Sequence, residues 1–292
     1  MVRRLAARDG PLGVTLRECL AVGTFLRTGH RGARGLAPEN TLEGFERATR
    51  EGVDVLELDV RLSADGRVVV LHDATVARTT DWNERSAAPG EVSRLTWEEL
   101  KTLDAGHRFS PDGGESFPFR GRGVRIPLLA EVLSAFPEHL FTVELREAPQ
   151  AEFVARVADV VRPHAERVCL ASFSHRLLRA ARRTAPDLAT SFSGREIRDA
   201  YLLSRLGLAG LLPARGVVYQ APLFANHDAG RGLRVVDRRF LAAAHRRGLP
   251  VTVWTINEPE RMRELIALGV DGITTDRPDL LNEVLAERPL AR

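Results

Sequence analysis

The chain has 292 residues, 42 of them basic and 39 acidic, for a formal charge of +3; all but one of the basic residues, Lys101, are arginine. An apolar fraction of 44% with 28% charged residues excludes a disordered chain. The near balance of charge excludes a large basic field for nucleic acid and leaves an anionic small substrate open. The two cysteines, Cys19 and Cys169, form neither a disulfide framework nor a metal-ligand spacing. No apolar run reaches the roughly 18 residues that span a bilayer. The arginine-bearing first residues are not followed by an apolar stretch of signal-peptide type. The expectation is therefore a cytoplasmic protein.

The length suits two ordinary domains or one α/β barrel with insertions. Apolar, β-branched runs predict strands at 22–28, 53–59, 140–145, 167–171, 188–192, 216–219, 250–254 and 272–274. Between them, apolar residues recur at helical spacing, as in Leu42/Phe45/Ala48, Phe153/Val157/Val160 and Phe240/Ala243/Ala244. Eight strands alternating with helices predict the α/β class and a (β/α)8 TIM barrel. No linker divides the series, so residues 22–288 read as one domain preceded by an N-terminal extension, 1–21.

Two segments break the rhythm. Asp65-Gly66 is a hairpin signal between β-prone runs, and a two-residue turn there would set Asp59 opposite His72. The second segment is a long insertion, 74–125, with one helical piece at 96–103 and a Gly/Pro/Arg-rich end. A loop of that length is expected to be a lid or a binding element.

Glu57 and Asp59 lie two apart near the end of the second strand and so share a face. Paired carboxylates at the C-terminal end of barrel strands suit a hard cation, Mg2+ or Ca2+; a salt-bridged barrel interior is the equal alternative. Glu144, near the end of the next strand, offers a third oxygen ligand, and Arg146 shares its face as an anion contact. His30 ends the first strand and His72 is delivered by the hairpin, a pair suited to general acid and base. Arg31 adds a guanidinium whose fork fits phosphate oxygens. Asn40, with Glu43 three residues on, reads first as a helix N-cap and capping box. Trp254 ends a strand and either lines the pocket or packs the core.

Several of these residues fall in recognisable segments. His30-Arg31-Gly32, Pro38-Glu39-Asn40-Thr41, Glu57-Leu58-Asp59-Val60, His72-Asp73, Arg78-Thr79-Thr80, Leu103-Asp104-Ala105-Gly106 and Ile126-Pro127 follow one another in order. Val143-Glu144-Leu145, Trp254-Thr255-Ile256-Asn257 and Gly272-Ile273-Thr274-Thr275-Asp276-Arg277-Pro278 continue the series. Together they resemble the signature of the glycerophosphodiester phosphodiesterases over roughly residues 25 to 283. The resemblance implies a (β/α)8 barrel with an insertion after the second strand. It implies hydrolysis of a glycerophosphodiester to glycerol phosphate and an alcohol with one divalent cation. It puts the metal carboxylates at Glu57, Asp59 and Glu144, the acid/base histidines at His30 and His72, and the phosphate-binding arginine at Arg31. Glu39, Asn40, Asp73 and Trp254 are expected to support the site.

Three departures are visible: Arg146 stands where the family commonly has lysine, Leu128 where it commonly has threonine, and Asp81-Trp82 where it commonly has Asp-Gly. The expected mechanism has His30 as base and His72 as acid, Asp73 orienting His72, and Arg31 with Arg146 sharing the phosphate charge. A lysophospholipase D acting on lysophospholipids is the sister reading, to be decided by whether Phe109, Phe117 and Phe119 line an apolar groove. A metal-free glycosidase with two carboxylates across a cleft and a non-catalytic binder of anionic phosphodiesters are the readings of other classes.

Overall fold

The computed structural model describes residues 3–4, 16–146, 151–225 and 232–287. Eight parallel strands carry the fold: β1 Thr24–Gly29, β2 Val55–Leu62, β3 Leu140–Leu145, β4 Val168–Ala171, β5 Ala189–Thr190, β6 Tyr219–Pro222, β7 Val251–Trp254 and β8 Gly272–Thr275. The hydrogen-bonded order runs β5-β4-β3-β2-β1-β8-β7-β6. The two ends of that order meet: the Val217 amide donates to the Thr190 carbonyl at 2.9 Å, and the Phe192 amide to the Val218 carbonyl at 3.3 Å. The sheet therefore curls round on itself, with helices outside it.

Each predicted strand has its counterpart, and the boundaries slip most where the sheet closes. The sixth was expected at 216–219 and lies at Tyr219–Pro222; the fifth, expected at 188–192, keeps ladder pairing only at Ala189–Thr190. Both flank the closing seam, where single bonds replace a ladder and composition carries no sign of the partner. β2 runs on to Leu62 because it also forms the first arm of the hairpin, with Val68–Val70 returning antiparallel.

The hairpin register differs from the expectation. Val60 pairs with Val70 and Leu62 with Val68. The Leu71 amide donates to the Asp59 carbonyl, and the Ser63 amide to the Arg67 carbonyl. The turn thus has three residues, 64–66, with Gly66 left-handed at φ +75°. Leu71, not His72, faces Asp59, and the side chain of Arg61 grips the His72 carbonyl through Nε and Nη2 at 2.9 and 2.8 Å.

Side chains alternate along the strands. Leu56, Leu58 and Val60 join Phe45, Phe141 and Phe153 in the layer between sheet and helices, which leaves Glu57 and Asp59 to the barrel interior. The amino-terminal end of the barrel is filled by Leu16 and Cys19 packed on Leu26, Val55, Leu140, Cys169 and Val218. The insertion builds its own small core from Val76, Val92, Leu100, Leu103, Val124 and Ile126 on the hairpin residues Val69 and Leu71. Its expected helix spans only Trp97–Leu100, with Thr96 and Glu99 forming a capping box, and a second short helix, Trp82–Arg85, was not expected. Among the described residues no helix is long and apolar enough to cross a membrane.

Candidate active site

Parity and register assemble the carboxylates. Glu57 and Asp59 share a face of β2, and in the β2–β3 ladder Asp59 is the partner of Glu144. One oxygen from each of Glu57, Asp59 and Glu144 lies within 4.8 Å of the others. Asp59 is buried and so is Glu57, whose Oε2 accepts the Arg31 amide at 2.8 Å. Burial, then the charge of Asp59, pushes Glu57 up to about 8. Burial and Asp59 raise Glu144 too, against the opposing charge of Arg146. Carboxylates packed this closely, one of them without a cationic side chain bonded to it, fit a hard dication through oxygen donors.

The segment after β1 supplies the counter-charges. Arg31 and Asn40 both have positive φ, 49° and 56°, unusual for residues with a side chain. The Asn40 amide donates to the Arg31 carbonyl at 3.0 Å, which ties the two ends of this loop together. Gly32 between them sits at φ +86°, and a Cβ there would meet the Gly44 carbonyl carbon at 2.6 Å, so only glycine fits. Arg31 reaches Glu39 at 2.9 Å and Asp59 at 3.3 Å, although its buried Nε has no hydrogen-bond geometry to either. Glu39 also receives Arg34 at 3.0 Å and Arg78 at 2.6 Å. Burial would raise Glu39, but the bonds from Arg78 and the three guanidinium charges hold it at about 2.

Asn40 is not the N-cap. Thr41 caps the helix Leu42–Arg50 by accepting the Gly44 amide, which places a glycine where Glu43 was expected to close a capping box. The side chain of Asn40 is thereby released to the site: Nδ2 donates to Asp59 Oδ2 at 3.0 Å and Oδ1 accepts the Asp59 amide at 3.3 Å.

Each histidine has a carboxylate behind it. His30 Nδ1 lies 2.6 Å from Asp276 Oδ1, and Asp276 is itself held by Asn257 Nδ2 at 2.9 Å. Burial lowers His30, but the bond to Asp276 and the charge of Glu57 outweigh it, and the imidazole is raised above its ordinary value. His72 Nδ1 lies 2.6 Å from Asp73 Oδ1, and its Nε2 meets Arg146 Nη2. Burial and the charges of Arg31 and Arg146 lower His72 despite Asp59 and Asp73. A ring nitrogen that accepts from arginine is unprotonated, so His72 is the neutral tautomer with its proton on Nδ1. Arg146 also bonds Glu144 at 2.9 Å and lies 3.5 Å from Asp59.

Part of this cluster opens onto a cavity of about 350 Å³ at the C-terminal ends of the strands, with Asp59 and His72 behind its lining, His72 against Arg146. His30, Arg31, Glu57, Glu144 and Arg146 form its charged half. The other half is uncharged: Ser172, Phe173, Ser191, Phe192, Gln220 and Trp254. Trp254 lines the cavity, resolving its two expected roles; its ring meets Phe173 edge to face at 5.6 Å and its Nε1 donates to the Gln220 carbonyl. No insertion residue lines the cavity. Phe109 packs on Phe119, and Phe117 lies under the Arg120 guanidinium. The insertion touches the site instead through Arg78, which joins Asp73 to Glu39.

Every sequence-predicted site residue thus lies in one connected cluster. Asp276, Arg34, Arg78, Asn257 and Phe173 take part without having been singled out as candidate site residues from the sequence. Asp276 had a signal. The His30 amide bonds the Thr275 carbonyl because β8 is the neighbour of β1 in a closed barrel, so the residue after Thr275 must stand beside His30.

Comparison with known proteins agrees with this geometry. A family model described as the glycerophosphoryl diester phosphodiesterase family matches residues 30–280. A glycerophosphodiester phosphodiesterase of Caldanaerobacter subterraneus subsp. tengcongensis is 34% identical over 258 residues, 86% of this chain and 94% of that protein. Lysophospholipase D GDPD1 of Rattus norvegicus is 27% identical, over 88% of this chain and 84% of its own. The crystal structure of glycerophosphodiester phosphodiesterase from Agrobacterium tumefaciens str. C58 superposes with a TM-score of 0.69 at 27% identity, covering 89% of this chain and all of that one (100%).

Proposed function

The chain belongs to the glycerophosphoryl diester phosphodiesterase family of hydrolases, and on that premise we propose that it hydrolyses small, deacylated glycerophosphodiesters to glycerol phosphate and an alcohol, with one divalent cation, Mg2+ or Ca2+. The supporting observation is the pair of carboxylate-backed histidines, His30–Asp276 and His72–Asp73, joined to three clustered carboxylates, with His30, Glu57 and Glu144 in the wall of one cavity and His72 behind Arg146. We read residues 22–288 as the single catalytic domain, with 1–21 as an extension and 74–125 as its insertion.

Glu57, Asp59 and Glu144 would hold the cation, which supplies a Lewis acid for a phosphate oxygen. Arg31 and Arg146 take the diester charge, their forks matched to phosphate oxygens. His72, neutral and with Asp73 on its proton-bearing Nδ1, accepts the proton of the attacking water at Nε2 once Arg146 has turned from that nitrogen to the phosphate. His30, kept protonated by Asp276, gives its proton to the departing alkoxide. These roles reverse the order expected from sequence, and the tautomer that Arg146 imposes on His72 favours the reversal. Asn40 and Glu39 position Asp59 and Arg31. The uncharged half of the cavity suits an alcohol with hydroxyl groups and an aliphatic face.

The relative that is a lysophospholipase D keeps a lipid substrate in view. A cavity of about 350 Å³ with no phenylalanine of the insertion in its wall favours the deacylated substrate. Assay of glycerophosphocholine and lysophosphatidylcholine, with chelator and with each metal, tests the proposal. Full turnover in EDTA, or an unimpaired His30→Ala variant, refutes the mechanism. Tight binding without turnover of either compound would revive the non-catalytic reading.

A further inference from the structure

Residues 206–214 read Leu-Gly-Leu-Ala-Gly-Leu-Leu-Pro-Ala, with no charge in a chain that is 28% charged. The loop is firmly seated: Ala209 is buried beneath it and Arg247 Nη2 donates to the Leu212 carbonyl at 2.7 Å. Yet it holds Leu206, Leu208 and Leu211 in solvent at 69%, 44% and 77% exposure, with Leu202 one turn earlier at 54%. These make up four of the seven large apolar side chains that are exposed among the described residues. A cluster of this kind marks a contact surface rather than scattered surface leucines.

The flank of the loop says what it contacts. A cavity of about 270 Å³ is lined by Leu212 and Pro213 of the loop, by Arg179, Arg195 and Arg215, and by Glu196 and Asp199, whose charges are taken by Arg182 and Arg198. Among the described residues the side chains of Arg179 and Arg215 have no ion-pair partner, and Arg195 has only Asp199 at 3.8 Å. Arg176, Arg179 and Arg183 stand at i, i+3 and i+7 on the exposed side of the helix His175–Thr184, which has no acidic residue. Protruding leucines bordered by free guanidinium groups match the two layers of an anionic bilayer surface, acyl boundary and phosphate. We propose that this face docks the protein on anionic phospholipid membranes, leucines inserted and arginines on headgroup phosphates. The helix Gly194–Arg205 runs back from the C-terminal end of β5, so the loop after it lies on the barrel face opposite the cavity mouth. Docking therefore leaves the mouth open to water and independent of turnover.

Co-sedimentation with phosphatidylcholine vesicles, with and without phosphatidylglycerol, tests this. The expected result is binding only where phosphatidylglycerol is present, weakened by salt. Leu208→Glu with Leu211→Glu should weaken it by about tenfold or more. Arg179→Glu with Arg215→Glu should do the same, while both variants keep their melting temperature and their rate on glycerophosphocholine. Absence of wild-type binding, or binding unchanged in both double variants, overturns the proposal. So does a wild-type dimer by light scattering that the leucine variant makes monomeric without any vesicle binding, which would assign the face to self-association.

Discussion

Replacing Asp276 with asparagine separates the two histidines. The carboxylate is 2.6 Å from His30 Nδ1, and its other oxygen accepts from Asn257 Nδ2 at 2.9 Å. An asparagine cannot satisfy both. With its oxygen toward His30, its amide faces the amide of Asn257, donor against donor; with its amide toward His30, Nδ1 must give up its proton. Either way the imidazolium loses a charge-assisted bond, worth about 1.5–3 kcal/mol, or about 10- to 100-fold in rate if His30 is the acid. The direction in pH follows. Asp276 helps to hold His30 above its ordinary value against burial. Without it the protonated form is lost at lower pH, and the alkaline limb of kcat/KM moves toward neutrality. The acid limb belongs to His72, which titrates below its ordinary value and has its own partner in Asp73, so it stays in place. Profiles of wild type and Asp276→Asn on glycerophosphocholine, with melting curves as a folding control, measure this. An unmoved alkaline limb, or movement of the acid limb alone, refutes the assignment of His30 as acid.

Three further outcomes are expected. In metal-free protein Glu57 is raised to about 8 from an ordinary 4.5; its neutral form stabilises the fold below about pH 4.5, and that contribution is lost as pH climbs toward 8. Melting temperature in EDTA should therefore fall over that range, and added Mg2+ or Ca2+ should restore it, more strongly at pH 8 than at pH 6; parallel curves with and without metal would contradict the carboxylate site. Glu39→Gln removes the carboxylate that Arg31, Arg34 and Arg78 share, leaves Arg31 with only its longer contact to Asp59, and should cost about 3 kcal/mol in denaturant unfolding, with rate loss of at least tenfold. Arg146→Lys keeps the charge but cannot hold Glu144 and His72 at once, and should lower kcat about tenfold with little change in melting temperature.

Alternation and strand order made most of the site legible. Glu57 and Asp59 share a face because they are two apart, and their position at the end of a strand puts them at the mouth of a barrel. Asn40 was harder. Asparagine three residues before glutamate satisfies a local capping rule, yet Thr41 is an equally good cap, and the choice was made by a tertiary demand, the Asp59 carboxylate needing a donor. The hairpin register was misread for a related reason. Asp65-Gly66 fits a two-residue turn, but a three-residue turn with left-handed Gly66 puts the valines of both arms in register. His72 reached the site regardless, since Arg61 holds its carbonyl. The insertion was expected from its length to form a lid or a binding element, and length says nothing about where its apolar residues find partners; they find them in each other and in the hairpin.

The same network predicts how substrate and product would be told apart. Glu39, Glu57, Asp59, Asp73, Glu144 and Asp276 are joined through Arg31, Arg34, Arg78, Arg146 and His30 into one set of contacts. Six carboxylates face four arginines and one protonated imidazole, leaving one negative charge in excess. Without a cation that excess is relieved by keeping a proton on Glu57, the carboxylate with no guanidinium bonded to it. With a divalent cation the excess becomes one positive charge, which a phosphodiester monoanion neutralises. Glycerol phosphate carries close to two negative charges at neutral pH. Its formation would return the set to negative and weaken the hold on the product just when the alcohol has left. On this balance Glu57→Gln, which removes one carboxylate, should bind glycerol phosphate more tightly relative to substrate than wild type does at equal metal occupancy. Product inhibition measured at saturating metal checks it, and an unchanged ratio of the two constants would show that charge balance does not govern release.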